Sequence, residues 1–326
     1  MTGIRNMLHK DITIALSGNP NSGKTTFFNA VTGARQHIAN YPGVTVEKKS
    51  GEVNHNGYKI RIVDLPGTYS LTAYSLEEIV ARDFLINERP DVVVDIIDTS
   101  NLERNLYLAV QFKELGIPLI LALNMMDVAE GRGIDVDHEK LSILTGVPVV
   151  PIIARAGKGI GALLDKVIEV AEAEKEWQPE LISYGMDIDS GINAVEEIIK
   201  KGELYDKKYP LEWLALKCIE GDPEIKKIVI NGSELSSEIT EICDKTSTHI
   251  EKTLEEEPEG IIADHRYGYI TGITKQSVKR QIESRLNISD RIDRVVTNRI
   301  IGPVIMVLIL YCIYAFTFWA SEVPVA

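Results

Sequence analysis

Gly18-Asn19-Pro20-Asn21-Ser22-Gly23-Lys24-Thr25 stands between the apolar run DITIALS (11–17) and Thr26-Phe27-Phe28, which opens a helical pattern. A glycine, four free positions and then Gly-Lys-Thr, in that setting, form a phosphate-binding loop, because the glycines let backbone N–H groups turn inward around a β-phosphate. Lys24 then reaches the β/γ oxygens, and the Thr25 hydroxyl is a ligand for Mg²⁺.

Outward from this loop, residues 11 to 153 alternate short β-branched runs with amphipathic stretches: DITIALS, VTVEKKSGEV, YKIRIVD, DVVVDII, IPLILAL and VPVVPII. The pattern predicts an α/β domain with a mostly parallel sheet covered by helices. Asn56-Gly57 between two of the runs predicts a tight hairpin, and so one antiparallel edge strand. Ile160, Leu163, Leu164, Val167, Ile168 and Ala171 fall at helical spacing and predict a helix that closes the sheet.

Three further motifs follow in chain order. Thr45, in Tyr41-Pro42-Gly43-Val44-Thr45, offers a hydroxyl that can close over Mg²⁺ once a γ-phosphate is present. Asp64-Leu65-Pro66-Gly67 ends a strand run, where a carboxylate can hold Mg²⁺ through water and the Gly67 amide can meet the γ-phosphate. Asn124-Met125-Met126-Asp127 follows IPLILAL. A carboxylate at Asp127 accepts hydrogen bonds from N1 and the exocyclic amine of guanine, whereas adenine offers no matching donors, so the site is expected to select GTP over ATP.

Composition narrows the class. Lys+Arg 35 against Asp+Glu 48 gives a net charge of −13, which repels a phosphate backbone and makes nucleic acid a poor partner. Cys218, Cys243 and Cys312 have spacings of neither a disulfide framework nor a zinc site, which points to a reducing compartment. The N-terminus MTGIRNMLHKD has no apolar run of signal-peptide length.

Beyond Lys175-Glu176-Trp177 the strand signal stops and helix caps take over. Pro210 opens a segment that presents Leu211, Leu214, Ala215, Cys218 and Ile219 on one face and stops at Gly221, and Asp222-Pro223 starts the next. Leu235, Ile239, Ile242, Thr246, Ile250 and Leu254 stripe a longer helix that ends in Glu255 to Glu257. Near the C-terminus, 300–320 (IIGPVIMVLILYCIYAFTFWA) carries no charge, and at 1.5 Å per residue it spans roughly 30 Å, one hydrocarbon core. Between Lys275 and Arg299 stand seven Lys/Arg and three Asp/Glu, which by the positive-inside rule leaves the preceding residues cytoplasmic. The expected organisation is a GTPase domain over 1–175, a helical domain over 176–265, a basic connector over 266–299 and one transmembrane helix over 300–320. That helix is an anchor or the first of a longer membrane domain.

With these motifs in order, residues 11 to 175 resemble a Ras-like GTPase domain. GNPNSGKTTFFNAVTG, YPGVTVEKKSG, DLPGTYSLTAYSLEEIVARDFL, DTSNLERNLYLAVQFKELGIP and NMMDVAEGRG resemble the cytoplasmic domain of the FeoB family of bacterial and archaeal ferrous iron transport proteins. The resemblance continues by position through the helical segment, which matches a GDI-like domain, and through Arg266 to Ile270 (RYGYI) to the first membrane helix. It implies a GTPase that regulates Fe²⁺ import through a membrane domain, at the cell (inner) membrane, with its GTPase and helical parts in the cytoplasm; an oligomer is compatible with it. Gly18, Asn19, Pro20, Asn21, Ser22, Gly23, Lys24, Thr25, Thr26, Asn124, Met125, Asp127 and the Ala154 amide are then expected to hold GTP. Thr25, Thr45 and Asp64 are expected to hold Mg²⁺, and Lys24, Thr45, Gly67 and Thr68 to serve hydrolysis.

Three departures qualify the resemblance. Thr68 stands where many relatives carry the Gln that orients the attacking water, so hydrolysis is expected to be slow or differently assisted. Met125 replaces the commoner Lys of the guanine motif, and Ile153 a common Ser. In this family Asn21 goes with potassium activation, the ion sharing oxygens from the Asn, the phosphates and the loop before Thr45. A ribosome-assembly GTPase is the first rival reading, disfavoured by the acidic balance and the apolar C-terminal helix. A membrane-anchored nucleotide sensor with little hydrolysis is the second.

Overall fold

A computed structural model describes residues 10–33, 36–41, 43–72, 74–173, 177–202, 208–230, 236–280 and 301–321. The chain divides into two units, Met1–Lys279 and Arg280–Ala326.

In the first unit seven strands form one sheet: β1 (Lys10–Ser17), β2 (Gln36–Asn40), β3 (Glu47–His55), β4 (Tyr58–Asp64), β5 (Val92–Asp98), β6 (Leu119–Asn124) and β8 (Val149–Pro151), the short β7 (Ile134–Val136) lying outside it. Their order is β2-β3-β4-β1-β5-β6-β8. From β4 to β8 every neighbour is parallel, with β1 central (Ile14 opposite Ile62 and Val92). The Asn56-Gly57 hairpin pairs β3 with β4 antiparallel, as expected, but β3 is not the edge. β2 pairs antiparallel with it, Ile38 opposite Lys49, and forms the outermost strand. All five β2 residues are exposed, so the strand rests on backbone pairing and on the Gln36 side chain, which donates to Asn29 Oδ1 at 2.8 Å and to Gly33 O at 3.0 Å, and it leaves no apolar alternation to read in the sequence.

Alternation along the central strands sorts side chains onto two faces. Ile14, Leu16, Ile62, Val94 and Ile96 pack with Phe27 and Phe28 of α1 (Lys24–Thr32) and with Leu163, Leu164, Val167 and Ile168 of α6 (Ile160–Glu172). Ala15, Val63, Val93, Ile97 and Leu121 face the other way, against α2 (Leu76–Glu88) and α3 (Leu102–Leu115). Two short helices, α4 (Met126–Gly131) and α5 (His138–Thr145), fill the connection from β6 to β8.

The remaining helices are α7 (Met186–Gly202), α8 (Leu211–Glu220), α9 (Pro223–Ile230), α10 (Ser236–Leu254) and α11 (Pro258–Ser277). Pro210 caps α8 at its start and Gly221 ends it in the left-handed conformation, matching the sequence signals. In the α10 stripe Ile239 and Ile250 are buried and Leu254 is exposed, while Leu235 lies outside the described residues. Trp213, Leu214 and Ile219 of α8 join the same continuous apolar cluster as α2 and α3. α11 passes without a break through 265 and 266, where the sequence pattern placed the end of the helical segment, and runs on to Ser277.

In the second unit α12 spans Ile301–Ser321. Its side chains are described at 303 and 305–317 only, and Met306 to Tyr311 among them are exposed. Among the described residues no helix is long and apolar enough to cross a membrane. A helix, α12, stands at the expected span of 300–320. The basic stretch 281–300, Pro42 and the first nine residues lie outside the described residues.

Candidate functional site

The phosphate loop leaves β1 at the centre of the sheet. Ser22 N donates to Asn19 O at 3.1 Å, and Gly23, at φ 92°, caps α1. A side chain there is excluded twice, by that left-handed backbone and by Asn124, whose Nδ2 would lie 2.2 Å from a Cβ. Thr25 and Thr26 are exposed in the first turn of α1. Asn21 is exposed, holds φ 68° without being glycine, and makes no side-chain hydrogen bond among the described residues.

Lys24 Nζ donates to Asp64 Oδ1 at the end of β4 and to the Leu65 carbonyl at 2.5 Å. The two charged side chains are only 11% and 8% exposed. Burial pushes the Asp64 carboxyl up, and Lys24 pulls it back. Strand β4 therefore brings the loop lysine and the carboxylate of the Asp-Leu-Pro-Gly motif together, as the spacing implies. Gly67 lies against the loop as well, a Cβ on it standing 3.4 Å from Pro20 Cα.

Thr68 is 3% exposed, and its hydroxyl has no hydrogen-bond partner. Its side chain is inside the protein, not on the open side where Asn21 and Thr25 stand. The residues after it are fixed by side chains: Leu71 N donates to Gln111 Oε1 at 2.5 Å, and Ser70 Oγ to Glu78 Oε1 at 2.6 Å. Glu78 also closes a capping box with Ser75 that starts α2.

Thr45 is exposed and is not hydrogen-bonded to Thr25 or Asp64 among the described residues. The bond from Tyr41 N to Val46 O, 2.9 Å, closes its loop. The buried Tyr41 hydroxyl donates to the Asp64 carbonyl at 3.4 Å, tying this loop to β4. Desolvation and the Asp64 carboxylate both push that phenol up.

At the other end of the site Asn124 acts as a strut. Its Nδ2 donates to Ser22 O at 2.9 Å, and its Oδ1 accepts from Ala154 N at 3.0 Å. The Ala154 amide expected to meet the base is thus already engaged by Asn124. Met125, left-handed at φ 61°, caps α4, and its Cε lies 3.5 Å from the Cβ position of Gly23. Asp127 lies in the first turn of α4 and accepts a hydrogen bond from Arg155, which follows Ala154 in the loop 153–159. Its only sequence signal is a cation beside Ala154.

One further residue has no motif to reveal it. Asp95 of β5, opposite Ser17, is fully buried, its Oδ2 has no partner, and burial pushes its carboxyl up to about 8. Asn19 Nδ2 donates weakly, at 3.4 Å, to the carbonyl of Arg104, whose guanidinium lies 4.3 Å over the Tyr69 ring.

The family profile described as ferrous iron transport protein B matches residues 12–167, and that of the FeoB cytosolic helical domain matches residues 184–279. A Fe(2+) transport protein A/Fe(2+) transporter FeoB fusion protein of Porphyromonas gingivalis is 40% identical over 318 residues, 96% of this chain and 37% of that protein. The Fe(2+) transporter FeoB of Methanocaldococcus jannaschii is 43% identical over 313 residues, 96% of this chain and 46% of that one. The chain spans less than half the length of these curated relatives. Among solved structures, the cytosolic domain of the T. maritima FeoB iron transporter in a GDP form superposes with a TM-score of 0.71 at 34% identity, over 83% of this chain and 99% of that one.

Proposed function

The chain belongs to the family of ferrous iron transport protein B, and on that premise we propose that it binds GTP and hydrolyses it as the regulatory portion of a ferrous iron transporter. The observation that carries the guanine reading is Asn124, which joins the phosphate loop at Ser22 to the Ala154 loop while Asp127 follows on the same turn. One strut therefore sets the distance between a phosphate grip and a base grip.

Lys24, now held by Asp64 and Leu65 O, turns to the β/γ oxygens, and the backbone N–H groups of Asn21 to Thr26 cradle the phosphates. The Thr25 hydroxyl and Asp64 carboxylate are the oxygen donors that suit Mg²⁺, with Thr45 joining when its loop closes. Mg²⁺, when bound, neutralises charge on the β/γ oxygens. With Thr68 buried, the backbone N–H of Gly67, beside Pro20, is the better group to orient the attacking water. Asn21, with no side-chain hydrogen bond among the described residues, is assigned to a K⁺ ion that serves in place of an arginine finger.

The GTPase domain covers residues up to 175, and the helical domain extends through α11. Residues 300–320 cross the cell membrane as the first helix of the transport domain, with the residues before them on the cytoplasmic side. Single-turnover γ-phosphate release from GTP and ATP at saturating Mg²⁺ tests the reading. Release from GTP alone is expected. Asp127→Asn should abolish it and turn the preference to xanthosine triphosphate, and equal binding of GTP and ATP by the unmodified chain would count against it.

A further inference from the structure

Arg155 Nη2 donates to Asp127 Oδ2, with the arginine side chain 72% exposed and the aspartate 28%. A stiff turn delivers the arginine. Residues Ala154–Ala156 form one turn of 3₁₀-helix, and Ile153 and Lys158 exchange backbone hydrogen bonds at 3.0 and 3.3 Å around it. The buried Ala154 is pinned to Asn124 at its base.

We propose that Arg155 competes with the guanine base for Asp127, so that this one exposed side chain lowers guanine-nucleotide affinity. The inference rests on the reading of Asp127 as the base acceptor. Guanine presents N1–H and an exocyclic N–H side by side, and both carboxylate oxygens are needed to meet them. With Oδ2 taken by a guanidinium, the base has to expel the arginine into water before the second bond forms. Hypoxanthine has N1–H but no exocyclic amine, so it needs one oxygen and leaves the other to Arg155. An ion pair this exposed is worth a factor of about two to five in an equilibrium constant, and salt weakens it.

The test is calorimetric titration of the full chain with GDP and with IDP in Mg²⁺ at low salt, for the unmodified protein, Arg155→Ala, Asp127→Asn and the double variant. Arg155→Ala should tighten GDP about two- to fivefold and IDP by less. The GDP gain should shrink at high salt and vanish in the Asp127→Asn background. Unchanged or weaker GDP binding by Arg155→Ala, or an equal gain for IDP, would overturn the competition while leaving the base assignment intact. GDP affinity unaffected by Asp127→Asn would instead sink the base assignment and the competition with it. Thermal melting of Arg155→Ala, expected to match the unmodified chain at so exposed a position, separates a binding effect from a folding one.

Discussion

Arg82 on α2 donates to Asp222 Oδ2 at 2.7 Å, with both side chains buried. Asp222 also caps α9, its Oδ1 accepting from the amides of Glu224 and Ile225 at 3.0 and 3.1 Å. One carboxylate therefore serves the helix that follows Gly67-Thr68 and the first turn of a helix in the other domain. Any displacement of α2 has to carry α9 with it or break this pair. A second buried group spans the same boundary: Arg266 of α11 binds Glu114 of α3 through two bonds at 2.7 and 2.8 Å, and Glu220 of α8 at 2.5 Å.

Arg82→Ala leaves the Asp222 carboxylate buried without its cation, which costs about 3–5 kcal/mol. Replacing both residues by leucine should cost less than either single truncation, since no unpaired charge remains. Urea denaturation of the four proteins measures this. An Arg82→Ala midpoint equal to that of the unmodified chain would mean that the pair is not formed in solution.

Glu220 makes the helical side acid-sensitive. Burial alone would raise its carboxyl, but Lys217 and Arg266 outweigh burial and hold it down at about 2, against an ordinary 4.5. Because the folded form releases the proton more readily than the unfolded one, its stabilisation is present above about 4.5 and drains away as pH falls towards 2. Glu220→Gln should melt lower than the unmodified chain at pH 7, with the gap closing below pH 4.5. A gap constant down to pH 3 would exclude this linkage.

Residues whose chemistry depends on chain order are legible in the sequence. The phosphate loop, Asp64 and the Asn124–Asp127 motif each follow a strand whose apolar run is unmistakable, and the parallel sheet brings those strand ends to one edge. Features that depend on contacts between distant positions leave no such trace. β2 is exposed on both faces and carries no apolar alternation, Asn124 reads as a base ligand although its amide is spent on Ser22 and Ala154, and the Arg155 contact lies 28 residues from Asp127. The helical segment runs past 265 because Arg266, whose charge reads as connector, is fully buried among carboxylates.

Asp95 carries the opposite sign. Its buried carboxyl is pushed up to about 8 from an ordinary 3.8, so the folded form keeps a proton that the unfolded form has lost. Stability from this group is complete below 3.8 and declines as pH rises towards 8, by up to about 1.4 kcal/mol per pH unit. Asp95→Asn, which cannot ionise, should gain on the unmodified chain between pH 5 and pH 8 in paired thermal melts. Parallel pH profiles for the two proteins would show that Asp95 is solvated or paired in solution.

The final prediction concerns how hydrolysis proceeds with Thr68 where many relatives have Gln. Thr68 is buried, so its hydroxyl is poorly placed to hold a water on the open side of the loop. Asn21 offers a polar side chain on that side, and its left-handed φ of 68° is a backbone conformation that asparagine tolerates better than most residues. Its amide oxygen is a hard donor of the kind a monovalent cation takes, and a cation there would offset the negative charge that builds between the β- and γ-phosphates during hydrolysis. Turnover of GTP should therefore be faster in K⁺ than in Na⁺ at constant ionic strength. Asn21→Ala should remove that difference by lowering kcat in K⁺ to the Na⁺ rate, while GDP affinity changes little because the loop amides and Lys24 remain. Asn21→Asp, which keeps an oxygen, should retain part of the K⁺ dependence. Equal rates in the two salts for the unmodified chain would remove the cation from the mechanism and leave the amides of Gly67 and Thr68 as the groups that place the water.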